Sequence, residues 1–376
     1  METDPAPHYS YSPPGPRRIL GGRGALAHLP LLTEELNVRR AVIVTSPSLL
    51  RQGSLLAALE GHLGDRHAGT FGEVEPHSPI EAVGRALELA QEVEADTVVS
   101  LGGGSSIDTA KGVVWYSNED TDEAPLVHIA VPSTLSGAEY TTDTGITMNG
   151  GKRVHRHTRI IPQAVILDPE VAATAPLELL RMSLLNALAH CLEGLVSIGA
   201  SPMTDASYIH AIRLLHTASS RLDEEAGLWT AQGGAALAAL HQVPVGLAHA
   251  LAHVVGGLFR TPHGATHAIV GPAVMRLNLP TVAAKQRAIA EAVGADLDGL
   301  DTEEAAWMAV SSVQAWARGL GIPPGLRDLG VPKDAIEVIA AEAPSDPCFE
   351  TNPRELSRED VRTCVEWAWS GEIPRP

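Results

Sequence analysis

The chain has 376 residues, 44% of them hydrophobic and 19% charged, with a formal net charge of −18. That length and apolar content give two domains or one large one around a sizeable core, and exclude a chain disordered throughout. The charge excludes a non-specific nucleic-acid surface, and three cysteines without C-x-x-C spacing exclude a disulfide framework.

So few cysteines fit a reducing cytoplasm. The opening METDPAPHYSYSPPGP is acidic and Pro-rich, without the basic start and apolar core of a signal peptide. Residues 1–16 therefore read as a flexible arm. No apolar run is expected to reach the roughly 18 residues of a membrane helix. The expectation is a cytoplasmic protein with neither membrane nor nucleic-acid partners.

From residue 17 the pattern alternates. RRAVIVTS (39–46) is a β-branched run that stops at Ser46-Pro47 and reads as a buried strand. A helix follows over 48–64, then a strand over 68–74. Ser78 stands as N-cap and Pro79 as first helical residue of a helix to about residue 95. Strands follow at 96–104, 126–134 and 163–169. This alternation predicts an α/β fold with a mostly parallel sheet and helices on both faces. Near Pro176 the β-branched runs vanish, and Ala, Leu and His dominate to the end. Helices are expected at 177–198, 203–219, 226–242, 246–258, 281–293, 302–319, 333–342 and 357–369. The domains are thus 17–176, α/β, and 177–376, all-helical.

SLGGGSSIDTAKG (100–112) ends a strand in three glycines and leads into a helix. Glycines let a ligand approach bare backbone, and the helix N-terminus adds positive partial charge, so the stretch reads as a pyrophosphate site. It is neither the G-x-G-x-x-G fingerprint nor a P-loop. Asp108 and Lys111, on the first turns, orient ribose or substrate, or form a solvated ion pair. The loop VPSTLSGAEYTTDTGIT (131–147) offers Ser133, Thr134 and Ser136 at the ligand-binding edge of the sheet.

GLAHALAHVVGGLFRTPHGATHAIVGP (246–272) carries two i,i+4 pairs, His249/His253 and His263/His267. Gly256-Gly257 should end the first of these helices. On the earlier helix Asn186, His190, Glu193 and Ser197 share one stripe. Two buried helices with imidazole-rich stripes predict one shared site. Three imidazoles and a carboxylate would suit Fe²⁺ or Zn²⁺, but the fourth position is Asn186, a neutral and weaker ligand. His253 is suited to donate a proton.

These motifs, with LNALAHCLEG and TNPRELSREDV, resemble the iron-containing (group III) alcohol dehydrogenase family of the dehydroquinate-synthase-like superfamily, and most of all maleylacetate reductases. The resemblance spans nearly the whole chain. It implies a Rossmann-like dinucleotide-binding domain, a helical domain, an active site in the cleft between them, and a homodimer. By position, Gly103, Gly104 and Ser105 would hold the cofactor pyrophosphate, Thr134 and neighbouring hydroxyls the nicotinamide side, and Lys152 would lie near the ribose. Metal-dependent members hold metal at the positions of Asn186, His190, His249 and His263, the first being aspartate there. Maleylacetate reductases have asparagine and resemble metal-independent enzymes, so Fe²⁺ or Zn²⁺ is not expected here. The three histidines then bind substrate, with His253 near the nicotinamide.

Ser46 stands where NAD-specific relatives often carry an aspartate that repels a 2′-phosphate, so NADH and NADPH both stay open. Where maleylacetate reductases read HHKLCH, residues 248–253 read AHALAH, and a family glycine is Leu184. Loss of a histidine and a lysine predicts a bulkier or more apolar substrate, and a biosynthetic role. The expected function is an NAD(P)H-dependent reductase of a carbonyl or enone-like substrate. The alternative is a repurposed member with lyase or cyclase activity, or nucleotide binding alone.

Overall fold

The structure, a computed structural model, describes residues 15–117, 126–148 and 151–376. The arm expected at 1–16 therefore lies, up to residue 14, outside the described residues. The strands are β1 (Arg18–Gly21), β2 (Ala41–Thr45), β3 (His67–Phe71), β4 (Thr97–Gly102), β5 (Val127–Pro132), β6 (Asp143–Met148), β7 (Gly151–Arg156) and β8 (Ala164–Leu167). Six form one sheet in the order β1-β8-β5-β4-β2-β3, every pairing parallel, while β6 and β7 form a separate antiparallel hairpin.

The helices beside the sheet are α1 (Leu29–Glu35), α2 (Pro47–Gln52), α3 (Ser54–Leu63), α4 (Ile80–Glu92), α5 (Gly104–Tyr116) and α6 (Pro169–Ala172). Leu29, Leu32, Leu59 and Leu63 pack on one face of the sheet, and Ala82, Val83, Ala86, Ala110 and Val113 on the other. Covered on both faces, β2, β4 and β8 are buried at every residue, which is why their sequences are near-continuous apolar runs. The five expected strands all form. β1, four residues long, and β7 escape the sequence reading because they are largely exposed, and β6 because its polar residues read as a loop.

Two helix starts differ from expectation. Gly53, at φ 70°, divides the helix expected at 48–64 into α2 and α3. Ser78 is not a cap: it sits buried at φ 48°, its hydroxyl donates to the Ser105 carbonyl at 3.1 Å, and α4 starts after Pro79.

The helical half comprises α7 (Leu177–Val196), α8 (Pro202–Ala218), α9 (Glu225–Leu240), α10 (Leu247–Phe259), α11 (His263–Ala292), α12 (Thr302–Gly319), α13 (Ala335–Glu342) and α14 (Arg358–Ser370). α10 runs through Gly256-Gly257 and ends at Arg260, whose left-handed backbone returns its N–H to the Gly256 carbonyl. Only the end of α11 was expected, because Pro272 and Pro280 lie inside it; the kink falls at Val282. α7 is long and apolar enough to cross a membrane, contrary to the sequence reading, but most of it is packed inside the helical core.

The strand order reverses between β2 and β4, since the chain leaves β2 for the edge strand β3 and returns on the other side. The crevice beyond the carboxyl ends of β2 and β4 is where open α/β sheets take ligands. The loop after β5 is tied to the helical half there, the Leu135 N–H donating to Ser183 Oγ on α7 at 3.1 Å.

Candidate active site

One wall of the crevice is bare backbone. Gly102 holds φ 143°, and a Cβ there would stand 2.4 Å from Ser106 Oγ. Gly103 caps α5 without a side chain, so no side chain occupies the start of the helix. A Cβ on Gly103 would come within 3.0 Å of Thr134 Cγ2, and one on Gly104 within 3.4 Å of Ser136. The Ser133 N–H donates to the Gly102 carbonyl at 2.8 Å. The glycine loop, Ser105 and the hydroxyls of Ser133, Thr134 and Ser136 thus form one cradle with no space for further side chains, which fits a pyrophosphate approached through N–H groups.

Ser46 stands beside it, just past the pairing of Thr45 with Leu101. Its hydroxyl caps α2, accepting from the Leu49 N–H at 3.4 Å. Asp108 lies one turn into α5. Lys111 follows neither sequence reading: it is fully buried, and its Nζ donates to the Thr141 carbonyl and hydroxyl, each at 2.7 Å, and to the Asp143 carbonyl at 2.9 Å. Burial lowers its pKa to about 8 against the pull of Asp108, Glu139 and Asp143. It pins the β6–β7 hairpin to α5. Lys152, on β7, pairs with Thr147 on β6, and its side chain is outside the described residues.

The other wall is helical, and it begins next to the tie at Ser183. Asn186 and His190 follow on α7, His249 and His253 come from α10, and His263 and His267 from α11. The rings form a chain. His190 and His249 are 4.5 Å apart, His249 and His267 4.3 Å, and His263 and His267 4.4 Å, while His253 stacks on His263 at 5.9 Å. His267, seen in the sequence only as the partner of His263, is a member of the cluster, its Nε2 lying 3.2 Å from His263 Nε2. Burial holds His190 and His249 down to about 3, and His267 well below its ordinary value, so all three are neutral near pH 7.

Glu193 does not face the crevice with Asn186 and His190. Its carboxylate turns to the N-terminus of α10 and accepts from the N–H groups of Gly246 at 3.1 Å, Ala248 at 2.8 Å and His249 at 3.2 Å, and from His249 Nδ1. Burial pushes Glu193 up to about 7 while the three N–H groups pull it down. Above about pH 7 the carboxylate is ionised, with donors on every side. The proton on His249 is thereby assigned to Nδ1, and Nε2 is left as a buried acceptor without a partner, as is Asn186 Oδ1. Ser197, the last residue of the expected stripe, donates instead to the Pro244 carbonyl at 2.6 Å.

His253 and His263 are the exposed members; the His253 side chain is 43% exposed, and its Nδ1 meets Asp346 Oδ2 at 2.9 Å. Asp346 also accepts from the Cys348 N–H at 2.9 Å. Burial would raise this carboxyl, but those bonds outweigh it and hold Asp346 near 2. Sequence reading missed Asp346 because it lies in a loop 93 residues away with no periodicity to mark it.

The three departures noted in the sequence are all buried. Ala248 and Leu184 pack in the helical core, Ala248 also lining a cavity of about 20 Å³ behind Glu193, and Ala250 is fully buried.

A doubly wound sheet with a glycine cradle, facing a histidine-lined helical wall, defines a two-domain oxidoreductase. The chain belongs to the iron-containing alcohol dehydrogenase family: "Iron-containing alcohol dehydrogenase" matches residues 16–169, and "Fe-containing alcohol dehydrogenase family, C-terminal" residues 181–369. It is 33% identical to lactaldehyde reductase of Escherichia coli (strain K12) over 93% of this chain and 97% of that one. It is 30% identical to maleylacetate reductase of Burkholderia cepacia over 95% and 97%. Among solved structures, maleylacetate reductase from Agrobacterium tumefaciens superposes with a TM-score of 0.86 at 28% identity, covering 100% of both chains. A 1,3-propanediol oxidoreductase does so with 0.90 at 27%, covering 96% of this chain and 100% of that one. The family uses NAD(P) and typically a divalent metal.

Proposed function

We propose that the protein is a metal-independent, NADH- or NADPH-dependent reductase of a small carbonyl or enone-like substrate. It works in the cytoplasm as a homodimer, with its active site in the cleft between residues 17–176 and 177–376. The observation that carries this reading is Asn186: the family's metal position is kept in shape and stripped of charge. Of the remaining donors, His190 and His249 are held neutral by burial, and the carboxylate on the same helix, Glu193, is engaged by α10. Among the described residues, the His, Cys, Asp or Glu donors gathered within 4.8 Å are His253, Asp346 and Cys348, not these three imidazoles. Without a carboxylate at Asn186 the three imidazoles lack the charge that strengthens a divalent site, and their donor atoms are not among those gathered within 4.8 Å.

The glycine cradle does fit a dinucleotide, which when bound supplies the hydride. Gly103, Gly104 and Ser105 would hold its pyrophosphate. Ser133, Thr134 and Ser136 would contact it towards the nicotinamide, Lys152 and Asp108 the ribose side, and Ser46 the adenosine ribose without excluding a 2′-phosphate. On the helical wall His249 Nε2 and Asn186 Oδ1 accept from a substrate hydroxyl or water. His190, held neutral by burial, and His263 orient the carbonyl. As the carbonyl carbon takes the hydride, its oxygen needs one proton. His253, solvent-accessible and held through Nδ1 by Asp346, delivers that proton from Nε2 and refills from solvent.

The test is NADPH oxidation across maleylacetate, lactaldehyde and other carbonyl compounds, alongside thermal shift with each nucleotide. Turnover on one of them with a nucleotide-induced rise in melting temperature is expected. No rise with either nucleotide would defeat the proposal and favour a lyase, a cyclase or another repurposed member.

A further inference from the structure

We propose that His253, Asp346 and Cys348 form a binding site for a soft divalent cation such as Zn²⁺, separate from the family's metal position, and that occupancy silences the enzyme. One donor atom from each residue lies within 4.8 Å of the others, and the His253 and Asp346 donors are already 2.9 Å apart. A tetrahedral Zn²⁺ with ligands at about 2.0–2.3 Å separates neighbouring donors by roughly 3.3–3.8 Å, so the group closes on a cation with small side-chain movements. Imidazole, carboxylate and thiolate are the ligands Zn²⁺ prefers, and three of them leave a fourth position for water.

The surroundings favour a cation. Burial first, then Asp346 and Glu193, raise the Cys348 thiol well above its ordinary value, so a cation must displace its proton, and Arg156, which acts the other way, is paired with Asp143. The backbone is set as well, since the Cys348 N–H holds one oxygen of Asp346 and leaves the other towards His253. His253 is exposed and Cys348 half-buried, so the cation enters from solvent. On binding, the thiol releases its proton to solvent and the thiolate takes the metal. His253, captured through a nitrogen, then can no longer turn to pass a proton. This last consequence rests on the proton-relay role proposed above; the binding itself does not.

The full chain, stripped with a chelator, is titrated with Co²⁺ and then Zn²⁺. One Co²⁺ is expected, with a thiolate-to-cobalt charge-transfer band that Zn²⁺ abolishes. Cys348→Ser should lose the band and bind at least about tenfold more weakly, since even a supporting partner is worth that much. His190→Ala, which removes a family ligand, should keep both band and affinity. Zn²⁺ should suppress wild-type NADPH oxidation at concentrations that leave Cys348→Ser active. Co²⁺ bound without the band, unaltered binding by Cys348→Ser, or binding lost in His190→Ala would overturn the site. Binding through Cys348 that leaves turnover untouched would overturn the silencing and, with it, the relay through His253.

Discussion

At the scale of single residues, the account turns on charge at a few positions. Asn186 Oδ1 is buried without a partner. Asn186→Asp keeps its shape and adds the missing charge, so divalent-metal affinity should rise by at least about tenfold. Equilibrium dialysis with Zn²⁺ measures this, and no gain would show that geometry rather than charge is what the site lacks. Ser46 gives a second case. Aspartate caps a helix as well as serine does, so Ser46→Asp should leave α2 intact while repelling a 2′-phosphate. kcat/KM with NADPH should fall by at least about tenfold with NADH little changed, a specificity worth about 1.4 kcal/mol. An equal loss with both cofactors would place the adenosine ribose elsewhere. Asp346 holds His253 in one tautomer and supports its protonated form, so Asp346→Asn should lower kcat and move the alkaline limb of the pH–rate profile to lower pH. A uniform loss of rate at every pH would reduce Asp346 to a structural part.

At the scale of elements, Glu193 joins α7 to α10. Its carboxylate satisfies three buried N–H groups at the start of α10 and the ring of His249. Glu193→Ala orphans all of them and should cost at least about 2 kcal/mol, read as the shift in urea unfolding. A loss below half of that would mean water replaces the carboxylate. Such connections mark the limit of sequence reading. β2, β4, β5 and β8 were legible because burial on both faces demands apolar runs, and α7 to α10 because their periodicity is unbroken. Most of α11 was hidden by Pro272 and Pro280. Within the site, residues one turn apart on a helix were readable as pairs. The turn of Glu193 away from the crevice and the arrival of Asp346 from a distant loop depend on how α7, α10 and the 343–351 segment pack, which no local pattern records. The same packing explains why Ala248 and Ala250, read as losses from the site, lie in the interior.

At the scale of the whole molecule, many ionisable groups are buried in forms set by folding. His128, His190 and His249 are held near 3 and His267 well below its ordinary value, each first by burial. Their folded pKa values lie below the unfolded one, so the native state is not penalised above about pH 6.5 and loses stability as pH falls beneath it. Glu139 and Glu193 are raised to about 7 by burial and act in the opposite sense, favouring the native state below the unfolded carboxyl pKa and losing that contribution as pH rises through 7. The histidines outnumber these carboxyls. Between pH 6.5 and 4.5 unfolding should therefore take up protons, and stability should fall by about 1.4 kcal/mol per pH unit for each net proton. Urea midpoints of chelator-treated protein across that window check the sign, and a midpoint rising as pH falls would refute it. The central claim is hydride transfer without a metal. Its most direct test is the NADPH-dependent turnover of protein dialysed against chelator, measured before and after addition of Fe²⁺. Full turnover before the addition is predicted; turnover that appears only with the metal would contradict the account.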